Sequence, residues 1–218
     1  MNTFAHLLIF TSTYMLQIFP DNPNQLHIKK AVDALKNGEV IIIPTDTVYA
    51  LACSIQNNKA IEKICKLKNV KLEKANFSFL CYDLSHISDF TKPFSTEIFR
   101  LMKQSLPGPF TFILNANSNV PHIFKSNKKT IGIRVPDNNI ARTIVKELGH
   151  PLMVSSVHDD DSIIEYTSDP SEIESHFTDQ VDLVIDGGYS DILPSTVIDC
   201  TGEAPVVIRE GKGKVAEY

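Results

Sequence analysis

The run Val40-Ile41-Ile42-Ile43, followed at once by Pro44-Thr45-Asp46-Thr47, constrains the fold of this 218-residue chain more than any other stretch. Four consecutive β-favouring apolar residues with no polar alternation describe a strand covered on both faces, the kind found inside an α/β sheet. Pro44 has no N–H to give to a ladder, so the strand ends there. Thr45, Asp46 and Thr47 can then bond the freed backbone groups themselves, as short polar side chains do in turns. The same hydroxyls, with Tyr49 beyond them, also stand where α/β sheets bind ligands, in the crevice at the carboxyl end of a strand. Taken alone, the stretch leaves both readings open.

The surrounding pattern supports the α/β class. Ile28, Ala31, Val32 and Leu35 recur at helical spacing over 26–35, and Gly38 suits a C-terminal cap. Further helices are expected over 57–69, 95–106 and 138–149, with a short one near 171–177. Strands are expected over 77–84, 110–114, 130–135, 152–157, 181–185, 196–199 and 206–209. In 130–135, Ile131, Ile133 and Val135 alternate with Gly132 and Arg134, a half-buried strand with Arg134 on its polar face. No period repeats and no low-complexity linker divides the chain, which predicts one α/β domain on a mixed, twisted, open sheet over 26–212. Residues 213–218 read as a tail and 1–25 as an N-terminal appendage. Its first part is apolar but lacks a basic start and a small-residue cleavage site, so neither a signal peptide nor a membrane span is expected. Met15 reads as a natural beginning, which makes 1–14 a start-site artefact or a short extension.

A net charge of −5 argues against broad electrostatic binding of nucleic acid, which would need a local basic patch. The four cysteines, Cys53, Cys65, Cys81 and Cys200, show no C-x-x-C spacing and no histidine companions, and read as buried reduced thiols in a cytoplasmic protein. No metal site is expected.

Seven stretches taken together resemble the successive blocks of the YrdC-like family, the threonylcarbamoyl-AMP synthases of tRNA modification. They are PTDTVYAL (44–51), PGPFTFIL (107–114), IGIRVPDNNIA (131–141), PLMVSS (151–156), DLVIDGG (182–188), STVID (195–199) and VVIREG (206–211). They occur in family order over nearly the whole chain, and in finer detail the sequence is more similar to the YciO branch. The resemblance implies an open α/β sheet curved around a basic cavity that takes ATP, L-threonine and bicarbonate. Threonine's amine and bicarbonate give a carbamate, which attacks the α-phosphate of ATP and releases pyrophosphate, with Mg²⁺ accompanying the nucleotide. Such chemistry rests on positioning and charge neutralisation and requires no covalent nucleophile, in keeping with a chain that has no G-x-S-x-G or Walker lysine loop. By the same resemblance, Thr45, Thr47, Tyr49, Arg134 and Ser195 hold the amino acid, Arg134 through a bidentate pair with its carboxylate. Lys68, Lys74, Thr130, Ser156 and Arg209 face the nucleotide. A tRNA-modification complex is the implied partner.

The chain departs from the family on the nucleotide side. The family's Lys-x-Arg reads Lys68-Asn69-Val70 here, and the missing arginine removes a charge-assisted contact of roughly 1.5–3 kcal/mol. Lys71 or Lys74 could supply a point charge in its place, without the planar fork. The family's Ser-Ala-Asn reads Ser156-Val157-His158, followed by Asp159, Asp160 and Asp161. Those carboxylates are either a solvated loop or, with His158, a cation site. The alternative function is a nucleotide- or double-stranded-RNA-binding protein on the same scaffold, without turnover.

Overall fold

Strand alternation and helix placement build the molecule around a single sheet. The computed structural model describes residues 13–72, 75, 77–121, 123, 129–158 and 166–214. Ten strands run in chain order: β1 (Tyr14–Gln17), β2 (Ile41–Ile43), β3 (Ala50–Ser54), β4 (Ser78–Leu80), β5 (Phe110–Asn115), β6 (Thr130–Arg134), β7 (Leu152–Ser156), β8 (Leu183–Asp186), β9 (Thr196–Asp199) and β10 (Val206–Arg209). They form one sheet in the order β1-β8-β2-β3-β7-β4-β6-β5-β9-β10. The β1/β8, β2/β8, β4/β6 and β5/β9 pairs are parallel and the others antiparallel, so the sheet is mixed as predicted.

Five helices cover it: α1 (Gln25–Lys36), α2 (Asn58–Leu67), α3 (Thr96–Ser105), α4 (Asn139–Leu148) and α5 (Pro170–His176). Each begins on a side-chain cap, from Asn24, Asn57, Ser95, Asn138 and Asp169 respectively. Gly38 closes the turn after α1 at φ +84°, a conformation that favours glycine over residues with a Cβ.

The two faces of the sheet are covered unequally. On one, Ile42, Leu51, Phe79, Phe112, Ile133 and Met153 pack in a single cluster with α2, α3 and α5 across most of its width. On the other, α1 and α4 pack on Leu16, Ile41, Ile43, Ala52, Leu152 and Leu183, with Leu80 of β4 at the limit of their cluster. Past that limit, that face of β6, β5, β9 and β10 contributes nothing to the cluster. The row Val154, Ser78, Gly132, Ile113, set by strand register, lies along this uncovered floor.

Three expectations change. The segment expected as an appendage is part of the sheet: β1 pairs with β8, Leu16 and Ile18 are buried, and Thr13 donates to Val181 O at 2.6 Å. Residues 1–12 lie outside the described residues, as do 215–218 of the tail. Two strands were not foreseen, β1 in the supposed appendage and β3, whose Ala-Leu-Ala-Cys-Ser sequence carries little strand preference and is held by neighbours on both sides. The strand expected over 77–84 stops at Leu80, although Cys81 N still donates to Arg134 O at 2.8 Å. No helix among the described residues is long and apolar enough to cross a membrane.

If the N-terminal strand is integral, Ile18→Ala, at a side chain 1% exposed, should lower unfolding stability by about 2–4 kcal/mol in urea titration. A loss under half a kcal/mol would return the segment to the status of an appendage.

Candidate functional site

The uncovered half of the sheet face is the floor of a cavity of about 520 Å³. Its polar lining includes Ser78, Thr111, Thr130, Arg134, Ser195 and Arg209, and its apolar wall includes Phe77, Ile113 and Ile208. Period-2 alternation puts Thr130, Gly132 and Arg134 of β6 on this face together. Gly132 keeps the floor low: a Cβ there would stand 2.6 Å from Ser78 Oγ and 3.2 Å from Thr111 Cγ2. The lining holds two guanidinium groups and no carboxylate among the described residues, so positive charge predominates in it.

Arg134 is on the polar face, as its alternation predicts, yet it is not half-exposed. It is 5% exposed and lines the cavity. Its Nη2 donates at 3.0 Å both to Asp46 Oδ1 and to Thr47 Oγ1. Its Nε and the second oxygen of Asp46 are buried without a partner, so this ion pair leaves hydrogen-bonding capacity unused. Burial pulls the guanidinium below its ordinary value, the Asp46 charge opposes that, and nearby Arg209 adds to the pull. Starting so far above neutrality, it stays charged.

The Pro-Thr-Asp-Thr knot after β2 answers the opening ambiguity with a division of labour. Thr45 Oγ1 donates to Val48 O at 2.7 Å and accepts from Thr47 N at 3.1 Å, the turn-closing role. Asp46 and Thr47 hold Arg134 from behind, one hydrogen bond away from the cavity. Tyr49 stands elsewhere. It belongs to the core of the opposite face, donates to Gly188 O at 2.7 Å and accepts from Gly187 N at 3.2 Å. Its hydroxyl fastens the turn after β8 and is not presented to the cavity.

Ser195, Thr130, Ser156 and Arg209 line the cavity. Ser195 Oγ shares a 2.8 Å hydrogen bond with Thr111 Oγ1, and Arg209 Nη2 donates to Ser195 O at 2.8 Å and to its Oγ at 3.2 Å. Lys68 is displaced from its expected place. Its ammonium donates to Ser156 O at 2.8 Å, at the cavity's edge and outside its lining, and burial lowers its pKa. Asn69 (φ 49°) and the Val70 N to Cys65 O bond turn the chain sharply after α2, and the Val70 side chain is exposed. Lys74 and Asp159 to Asp161 lie outside the described residues. His158 stacks near Tyr166, with ring centroids 4.7 Å apart.

Sequence reasoning missed Ser78, Thr111 and Lys212. The first two are single hydroxyls between phenylalanines, in Phe77-Ser78-Phe79 and Phe110-Thr111-Phe112, and alternation alone could have placed them on the polar face. Lys212 carried no local signal. All four cysteines are buried, and none lines the cavity. Burial raises each thiol, Cys200 to about 11 and Cys81 to about 12.

A family model described as telomere recombination, covering Sua5, YciO and YrdC, matches residues 33–211. The uncharacterized protein YciO of Escherichia coli is 44% identical over 204 residues, 92% of this chain and 97% of that protein. The crystal structure of E. coli YciO superposes with a TM-score of 0.86 at 42% identity, covering 93% of this chain and 97% of that one. A threonylcarbamoyl-AMP synthase of Bacillus subtilis is 29% identical over 86% of this chain, which spans 54% of the synthase. Pyrococcus abyssi Sua5, solved in complex with L-threonine, shares the fold: TM-score 0.83, 24% identity, 91% of this chain and 58% of that one.

Two outcomes test this geometry. Asp46→Ala leaves Arg134 buried without a counter-charge and should cost about 3–5 kcal/mol in denaturant titration, most of it returned by adding Arg134→Met. Simple additivity of the two would mean that the pair is not coupled. A thiol reagent at pH 8 should modify none of the cysteines before unfolding, because raised pKa values keep them protonated and burial keeps them closed.

Proposed function

The chain belongs to the Sua5/YciO/YrdC family, and on that premise we propose that its cavity binds an amino-acid carboxylate at Arg134 and an adenine nucleotide toward Arg209. The product is L-threonylcarbamoyl-AMP or a near relative, made from ATP, L-threonine and bicarbonate for tRNA modification. One observation carries the reading: a buried guanidinium with an unused Nε–H, in the lining of a cavity edged with hydroxyls and without a carboxylate among the described residues. A carboxylate oxygen is the acceptor that this N–H lacks, and Ser195 and Thr111 offer donors and acceptors in the same lining. L-Threonine is the first amino acid to test because P. abyssi Sua5 is complexed with it.

In the proposed reaction the carbamate oxygen attacks the α-phosphorus, the bond to the β-phosphate breaks, and pyrophosphate leaves. The chain's contribution is orientation from Arg134 and charge neutralisation from Arg209, in a site partly closed to water. The described residues offer a Mg²⁺ ion no set of carboxylate or histidine ligands, so the ion enters this reading only as the companion of ATP's phosphates.

The second reading is favoured by one specific observation on the nucleotide side. Lys68 is bonded to a backbone carbonyl, and an exposed Val70 stands where a phosphate-binding arginine would be. That arrangement weakens the case for ATP chemistry and leaves the alternative of a nucleotide- or double-stranded-RNA-binding protein on the same scaffold, without turnover.

Pyrophosphate release with ATP, Mg²⁺ and bicarbonate should depend on L-threonine. Arg134→Lys, which keeps the charge and loses the fork, should raise the threonine KM roughly ten- to hundredfold. Val70→Arg should lower the ATP KM. If neither wild type nor Val70→Arg releases pyrophosphate, the synthase reading falls. Duplex RNA affinity that declines linearly with salt on logarithmic axes would then support the alternative.

A further inference from the structure

Lys212 is not among the residues that line the cavity, yet it is bonded to the elements that hold Arg134. Its Nζ donates to Asp46 O at 2.7 Å and pairs with Asp191 Oδ2 at 3.1 Å. Asp191 N in turn donates to Thr47 O at 3.0 Å. The carbonyls of both Asp46 and Thr47 are thus gripped from the Asp191/Lys212 side, while their side chains grip Arg134 Nη2. We propose that Lys212 is a positioning residue for the Arg134 site: it fixes the 46–47 backbone so that Asp46 and Thr47 present Arg134 in its carboxylate-binding orientation.

The lysine's charge is not needed to keep its own segment in place. Lys212 N donates to Pro194 O at 2.9 Å, Gly211 N donates to Thr196 Oγ1 at 3.0 Å, and Thr196 Oγ1 donates to Gly213 O at 2.7 Å. Its side chain is 41% exposed, and an ion pair so open to solvent contributes little to folding. What the ammonium does have is position. It joins the segment that carries Arg209 to the knot that carries Asp46 and Thr47. A side chain that adds little stability but fixes a loop within hydrogen-bonding distance of a binding group acts on affinity and orientation.

The inference rests on the amino-acid reading of Arg134, and the test separates the two. L-Threonine is titrated calorimetrically into the full chain as wild type, Lys212→Met, Lys212→Arg and Arg134→Lys. The Arg134 side-chain Nε–H resonance, assigned by its loss in Arg134→Lys, is followed by NMR. Lys212→Met should raise the threonine Kd about tenfold, as for loss of one charge-assisted bond, and speed exchange of the Arg134 Nε–H. Its unfolding midpoint should stay where it is, and Lys212→Arg should restore most of the affinity. An unchanged Kd and unchanged Nε–H exchange in Lys212→Met would overturn the proposal, as would a midpoint that falls in step with the affinity. If wild type binds no threonine, the amino-acid reading fails, and the Nε–H exchange alone decides whether Lys212 positions Arg134.

Discussion

A guanidinium with almost no exposed surface needs its charge answered within hydrogen-bonding reach, and the elements around Arg134 meet that need. The strand that carries it supplies the position. The turn after a proline-terminated strand four places away in the sheet supplies Asp46 and Thr47, and the exit of the last strand supplies Lys212, bonded to the Asp46 carbonyl. Residues 87 to 166 positions apart in the chain meet here. A buried ion pair of this kind is a poor source of stability. The Nε–H of Arg134 is buried without a partner, and Arg134 itself lines the cavity.

The cavity follows from a mismatch in width. Two helices, α1 and α4, can roof only about half of a ten-stranded sheet, and the strands beyond their reach carry serine, threonine, glycine and arginine on that face. The opposite face of β5, β6 and β9 is phenylalanine, isoleucine and leucine, in one cluster with α2 and α3. Each strand there is amphipathic in the sense of separating core from ligand site, and its apolar face anchors the polar one. Gly132 at the centre of the floor lets Ser78 and Thr111 close in without a Cβ between them.

Family membership frames what this site is for, and the chain's own residues qualify it. At the end proposed for the amino acid, Arg134, Ser195 and Thr111 all line the cavity, and Ser195 and Thr111 share a hydrogen bond. At the end proposed for the nucleotide, Arg209 and Thr130 line it, Lys68 is occupied with a carbonyl, and Val70 is exposed. The relatives divide the same way. Those over 40% identical across nearly their full length include the uncharacterized YciO, while the synthases are more distant and the B. subtilis one is nearly twice the matched length.

Much of this was legible in the sequence. The unbroken Val40–Ile43 run, the alternation in 130–135 and the helix periods with their caps fixed the α/β class, most elements and the side of β6 on which Arg134 lies, because these depend on local geometry with periods of 2 and 3.6. Ordered motifs pointed to the family and to Ser195, Thr130, Ser156 and Arg209. Tertiary structure decided the rest. That β1 and β3 are strands depends on neighbours from distant parts of the chain. Tyr49 lies behind the sheet, Lys68 binds a carbonyl, and Lys212 steadies the site, all through contacts between residues far apart in sequence. A side chain's type and spacing tell which face it takes, but its bonding partner is set by which strands the fold places beside it, and that is a property of the whole sheet.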